Sequence, residues 1–423
     1  MTLRNSLSNL SSGLLCGGAA GLLLLWGSCT GHRQQRLQDG TWRAELSVSH
    51  GRAAPFLFEV TGGGTDSAVL TLVNGEERTP LTGVYYPAPD TVIIPIEAYD
   101  AFIKARVSGG ALAGRFIKSY VEGDTGVPFM ALRGDAPRFA AAGSPADVDV
   151  SGRWDVLFVS DGSGDTVRNV GIFKADDRRV TGSILTTSGD LRFLEGALTD
   201  VGVQLSTFSG LTPLYVELRF TGSDTFEGTL YSARGATTLV GRRNSRAALA
   251  DPYSLTGLKR GADRLGFRLP DVDGREVSLA DERYRGKVVI VSVLGTWCPN
   301  CLDEAQYLSQ WYRENRERGV EIVGLAFERK DDVDYARAAV GRFKRQYGIE
   351  YEVLLAGKVG GESVAKALPE VDGLRSYPTT FFINKKGRVA KIHTGFNGPA
   401  TGLFYEEWQK EFNALVDKLL DEK

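Results

Sequence analysis
Two cysteines three positions apart, Cys298 and Cys301, carry the strongest chemical signal in the 423-residue chain. They enclose Pro299 and Asn300 and follow a near-continuous apolar run from Lys287 to Leu294, as expected of a central strand buried on both faces. Beyond Cys301, Leu302, Ala305, Leu308 and Trp311 fall on one helical face, so the pair lies where a strand passes into a helix. A thiolate there meets free N–H donors and the positive end of the helix dipole, which lowers its pKa. Cys298 is therefore expected to be the exposed nucleophile. Cys301, one turn on and deeper, is expected to attack the resulting mixed disulfide. Pro299 removes an N–H that lacks a helical partner in the first turn anyway. A zinc knuckle needs two more ligands, and no other Cys-x-x-Cys or His pair exists; His32, His50 and His393 stand apart from one another. No metal and no cofactor are expected beyond a redox-active Cys298–Cys301 disulfide. Because a disulfide across two residues is a poor staple, the motif reads as redox-active.

Glu304 is a candidate for proton handling, three residues past Cys301 on a neighbouring face of the same helix. Buried beside a thiol, it would have a raised pKa and could take the proton that Cys301 must lose. Solvated in the first turn, it would only favour the helix N-terminus.

The elements that must hold these groups occupy about 262–423. Val320 to Phe327 is a second apolar strand, about 331–347 a helix and Tyr351 to Leu355 a strand. Thr379 to Asn384 and Arg388 to Thr394 read as a hairpin turning at Lys385-Lys386-Gly387, and a last helix carries Trp408, Phe412, Leu415 and Leu419 on one stripe. Strands alternating with helices indicate an α/β domain.

Residues 40–245 differ. Period-2 alternation recurs, as in Leu214, Val216, Leu218 and Phe220 against Tyr215, Glu217 and Arg219, and turn signals such as Asn74-Gly75 and Ser188-Gly189-Asp190 punctuate it. No helical periodicity stands out. The region reads as a weak internal repeat: Gly40-Thr41-Trp42 matches Gly152-Arg153-Trp154, Leu112 to Phe116 matches Phe226 to Leu230, and Met130 to Arg133 matches Leu239 to Arg242. Two β-rich domains, 40–138 and 150–245, are expected as closed or nearly closed meander barrels, with linkers at 29–39 and 246–261. The Gly-x-Trp opening resembles that of lipocalin-like barrels, but a Trp near a barrel base more often plugs the core.

Lys and Arg number 50 against 52 Asp and Glu, which disfavours nucleic-acid binding. Hydrophobic residues at 42% exclude a disordered chain. At the N-terminus, Arg4 is the only charge before Cys29, and residues 13–26 are uncharged and too short to span a bilayer. The ending Leu25-Trp26-Gly27-Ser28-Cys29 resembles a bacterial lipoprotein processing site, which makes 1–28 a signal peptide and Cys29 the lipidated residue, although Trp26 stands where Leu or Val is usual. Lipid chains of this kind anchor stably.

Trp297-Cys298-Pro299-Asn300-Cys301 after an apolar strand, with Tyr377-Pro378-Thr379-Thr380-Phe381-Phe382-Ile383 downstream, resembles the thioredoxin superfamily. Within it, about 262–423 is similar to the TlpA-like membrane-anchored thiol–disulfide oxidoreductases of bacterial envelopes. The resemblance implies that Pro378 is a cis-proline facing the dithiol. It also implies that Tyr377 pairs its backbone with an extended substrate, and that Trp297, Pro299, Asn300 and Thr379 border that substrate. Relatives of the reducing branch carry Glu at the positions of Glu304 and Glu328. The implied activity is reduction of protein disulfides, including those of apocytochrome c, with electrons from a membrane thiol donor, in an envelope protein lipid-anchored through Cys29. Three departures matter. Ser292 stands where thioredoxins bury an Asp, Gln306 where many relatives kink the helix with Pro, and Gly295 where peroxidases need Thr or Ser. A reading of a different class makes the β domains dominant, binding a ligand or partner, with the dithiol as a sensor or repair module.

Overall fold
Alternating burial marks out the first β region. Trp42, Ala44 and Leu46 point inward from the strand Gly40–Ser47 between half-exposed neighbours, and Ile103, Ala105 and Val107 do the same from Ala101–Ser108. The computed structural model describes residues 34–140, 148–160, 164–200 and 202–422. The expected signal segment 1–28 and Cys29 lie outside them. Of the expected first linker, residues 34–39 pack on the sheet: Leu37 is buried, and its N–H donates to the Tyr86 hydroxyl at 3.1 Å.

Nine antiparallel strands form this first sheet, and the last, Val127–Arg133, returns to pair with the first. The sheet stays open between its edge strands, Glu77–Leu81 and Tyr85–Ala88. Both edges carry a proline, Pro80 and Pro87, which lacks the N–H a further ladder needs. The core is completed from elsewhere. Phe208, which belongs to the second β region, inserts fully buried, with its ring centroid 4.8 Å from that of Phe56 and 5.2 Å from that of Phe116.

The second region does close. Eight strands from Gly152–Val159 to Gly235–Arg243 form a ring, completed where Thr166–Asp176 pairs with Arg179–Thr186. A two-residue strand, Gly189–Asp190, hangs on the end of Arg179–Thr186. Trp154, Phe226, Val216, Leu205 and Ile184 fill the interior. The two regions repeat local detail. Trp42 and Trp154 are both fully buried, and each indole N–H donates to a carbonyl four residues earlier at 3.0 Å, on Gln38 and Val150 respectively. Trp42 pairs across the strands with Arg133 and Trp154 with Arg243. The end of the repeat therefore aligns Arg133 with Arg243, one residue beyond the expected Arg242. A one-residue slip exchanges the faces of a strand. In the corrected register exposed Met130 matches exposed Val240, and buried Phe129 matches buried Leu239.

The third region is a five-stranded mixed sheet with helices on both faces. Its elements are β1 (Val288–Leu294), α1 (Pro299–Asn315), β2 (Val320–Glu328), α2 (Val333–Tyr347), β3 (Glu352–Lys358), α3 (Gly361–Ala367), β4 (Thr379–Ile383), β5 (Val389–Thr394) and α4 (Leu403–Asp421). The sheet order is β3-β2-β1-β4-β5, with β4 antiparallel to β1. All seven residues of β1 are buried, because α1, α2 and α4 cover one face of the sheet and α3 with the segment from Leu265 to Tyr284 covers the other. Residues 246–261, expected as a linker, are partly ordered structure. Gly257–Leu258 pairs with Val371–Asp372, so the domain's structure begins before residue 262.

The three regions interlock. Arg138, 5% exposed, donates to the Val73 carbonyl in the first sheet at 2.5 Å and to Glu195 of the barrel at 3.3 Å. Asp100 of the first region accepts from the Tyr335 hydroxyl on α2 at 2.6 Å and pairs with Arg342.

Candidate active site
β1 delivers the chain to Gly295, where a Cβ would lie 2.4 Å from the Trp297 indole nitrogen, so any side chain there would displace that ring. Cys298 then caps α1 with Pro299 as the first helical residue, and its Sγ accepts the Cys301 N–H at 3.3 Å. The Cys298 thiol also donates to the Tyr377 carbonyl at 3.4 Å. The Tyr377–Pro378 bond is cis, which puts this carbonyl beside the dithiol. Both cysteines are free thiols. Burial pushes the Cys301 thiol well above its usual pKa, and the adjoining Cys298 sulfur adds to the rise.

Glu304 is not a solvated helix residue. It is 1% exposed, accepting from Ser292 Oγ and Thr380 Oγ1 at 2.7 Å each. Burial raises its carboxyl to about 7, with the two hydroxyls pulling the other way. The Ser292 departure thus has a partner in the fold: α1 supplies a buried carboxylate where β1 supplies none. Glu328, at the end of β2, is fully buried and accepts the Thr296 N–H at 3.1 Å and the Thr296 hydroxyl at 2.9 Å. Burial raises its pKa as well, against those two hydrogen bonds. Its oxygens clamp the loop two residues before Cys298.

Trp297 is half-buried. Its indole N–H donates to the Phe327 carbonyl at 2.8 Å, and its ring meets Tyr377 edge-on at 5.7 Å. The Arg329 guanidinium lies 5.2 Å from the Trp297 ring and 3.6 Å from that of Tyr120, a residue of the first β region.

Two expectations need correction. Cys298 is 5% exposed, not an open nucleophile, and its thiol lies against the Tyr377 carbonyl. Thr379 does not border a surface; it is fully buried, with its hydroxyl donating to the Ser376 carbonyl at 2.8 Å. Pro299 and Asn300 face the molecule's own barrel. Arg192 donates to the Pro299 carbonyl at 3.1 Å, and Asn300 Nδ2 contacts Asp190 Oδ2 at 3.3 Å. Residues 188–190 signalled only a turn, and Arg192 carried no signal. Thr296, Ser292 and Thr380 were equally silent as carboxylate partners, since a lone polar residue in or beside a strand gives no local clue to what it will meet.

Residues 261–392 match the AhpC/TSA family. The thiol-disulfide oxidoreductase ResA of Bacillus subtilis is 33% identical over 138 residues, covering 33% of this chain and 69% of the relative. The ResA of Halalkalibacterium halodurans is 30% identical over 139 residues, covering 32% and 69% respectively. Among solved structures, a thiol:disulfide interchange protein of the thioredoxin family from Chlorobium tepidum is 25% identical, covering 39% of this chain and 99% of that one, with a TM-score of 0.30. The strand-to-helix dithiol, the cis bond at Pro378 and a ResA relative matched across more than two thirds of its length lead to one conclusion: the chain belongs to the ResA-like thiol–disulfide oxidoreductases of the thioredoxin superfamily.

Proposed function
We propose that this chain reduces protein disulfides on the outer side of a bacterial membrane, anchored by lipid at Cys29 and re-reduced by a membrane thiol donor. Among the described residues no helix is long and apolar enough to cross a membrane. The observation that carries the redox reading is the capped dithiol itself, with Cys298 Sγ 3.3 Å from the Cys301 N–H and a buried Glu304 one turn along α1.

In the proposed cycle the Cys298 thiolate attacks one substrate sulfur. A mixed disulfide forms, and the second substrate sulfur leaves as a thiolate that takes up a proton. The Cys301 thiolate then attacks Cys298 Sγ, releasing the first substrate sulfur and leaving the Cys298–Cys301 disulfide. Two electrons pass from the dithiol to the substrate. Cys301 must lose a proton from a site where burial opposes ionisation, and Glu304, with its carboxyl raised to about 7, is suited to receive it. Glu328 acts as a positioning residue through Thr296, and the Tyr377 carbonyl with Pro378 orients the Cys298 thiol. The closed barrel is filled by its own side chains and the core of the open sheet by its own aromatics with Phe208, which weighs against ligand carriage as the main role.

The test is the midpoint potential of the Cys298/Cys301 couple, read from Trp297 fluorescence in thiol buffers. A reductase is expected near thioredoxin's value of about −270 mV; a value near the roughly −120 mV of strong oxidants overturns the direction. Absence of a reversible two-electron transition overturns the redox reading itself.

A further inference from the structure
The closed barrel lays one short stretch, residues 187–192, on the face of the thioredoxin-like domain that carries the dithiol. Ser376, just before Tyr377, donates its hydroxyl to the Ser188 carbonyl at 3.2 Å. Asp190, 6% exposed, accepts the Gly398 N–H at 2.6 Å and faces the Asn300 amide at 3.3 Å. Arg192 donates to the Pro299 carbonyl at 3.1 Å and to Asp303 at 2.7 Å, and it pairs with Glu77 of the first sheet. The stretch thus touches the dipeptide between the cysteines, the segment before the cis-proline and the turn after β5.

Two glycines permit this approach. A Cβ at Gly189 would lie 2.5 Å from Asn300 Cγ, and one at Gly395 2.6 Å from the Thr187 carbonyl oxygen. The contact is close-fitted from both sides. At its far end Arg192 holds a left-handed backbone, φ 57°, a conformation disfavoured for a residue with a side chain and maintained here by its ion pairs.

We propose that residues 187–192 are a lid that decides which disulfides reach Cys298. This rests on the exchange chemistry proposed above. Attack needs the substrate S–S bond in line with Cys298 Sγ. A disulfide in a folded protein must also bring its surrounding chain against Ser376, Asn300 and Gly398, where the lid sits. Small disulfides need only the sulfur, and disulfides in folded proteins wait for the lid to lift. The lid alters access and leaves the electron and proton balance of exchange unchanged.

The test uses the whole chain and two reagents that alkylate Cys298 regardless of turnover, N-ethylmaleimide and a maleimide carrying a long polyethylene glycol chain. Gly189→Ala pushes a methyl group into Asn300 and should unseat the lid. Its labelling by the bulky reagent should rise about tenfold, the change that roughly 1.4 kcal/mol of lost seating produces, while N-ethylmaleimide labelling stays within about twofold. Insulin reduction should rise in parallel with bulky labelling, and reduction of a small aromatic disulfide should not. Should Gly189→Ala fail to fold, by circular dichroism, Arg192→Ala removes the lid's anchor without adding an atom. Equal bulky labelling in wild type and variants overturns the lid. Faster bulky labelling with no reduction of either disulfide by any form upholds the lid and overturns the exchange reading instead.

Discussion
The two β repeats share a buried Trp with the same indole bond, the same Trp–Arg cross-strand pair and a meander order, yet one closes and the other does not. The closed repeat satisfies its core internally, with Trp154 and Phe226 rings 5.2 Å apart. The open repeat borrows Phe208 from its sibling and offers Asp100 and Tyr120 to the thioredoxin-like domain. Closure frees a barrel to present a loop, here the one that touches Pro299 and Asn300 between the cysteines. An open sheet must instead be completed by its neighbours. The repeat thus comprises one self-sufficient unit and one dependent on its neighbours.

That contrast can be broken at Phe208. Phe208→Ala should cost about 3–5 kcal/mol by urea unfolding, and the loss should appear in hydrogen exchange of the first sheet, although the residue belongs to the second. Protection lost only in the barrel would reverse the dependence argued here. Arg138→Met probes the join between the repeats. It leaves the part-buried Glu195 with only the more exposed Arg179 as a cation and should cost about 3 kcal/mol; unchanged stability would mean the repeats dock without it.

A third change touches neither repeat and serves as their reference. The folded pKa of Glu304, about 7, lies above the ordinary value of 4.5, so the unfolded chain releases this proton first as pH rises. This group should therefore contribute a loss on the order of 3 kcal/mol between about pH 4.5 and pH 8, and Glu304→Gln should lose that much less than wild type across the window, the buried Asp303 still contributing in both. Parallel pH curves for the two proteins would sink the assignment. Smallest of all, Tyr120→Ala removes one face of the Arg329 stack and should cost about 0.5–1 kcal/mol. Its clearer signature is a shift in Trp297 emission, since Arg329 lies against that ring; an unchanged spectrum would detach the first repeat from the active site.

Much of this was legible in the sequence, for identifiable reasons. The dithiol, the helix it caps and the uniformly apolar β1 are local patterns, and α1, α2, α4 and the β4–β5 hairpin follow from periodicity and turn residues. The repeat was visible in its Gly-x-Trp openings but slipped by one residue at its end, where only burial distinguishes Val240 from Leu239. Openness of the first sheet was not legible, because Phe208 lies far along the chain from Phe56 and Phe116, whose core it fills. The same distance hid Asp190 and Arg192. The glycines that admit the lid look, in sequence, like any other turn glycine. Glu304 was recognisable as a candidate by its spacing, whereas its burial depended on Ser292 and Thr380 converging from separate strands.

The borrowed Phe208 bears on the order of assembly. A chain made from its N-terminus exposes the open sheet first, with two unpaired edges and a gap between Phe56 and Phe116, while the residue that fills it is still to come. Until the second repeat arrives, the first is a folding intermediate with exposed apolar surface and strand edges, the state most open to wrong pairing. The prolines on both edges, Pro80 and Pro87, guard that interval as much as they shape the finished sheet.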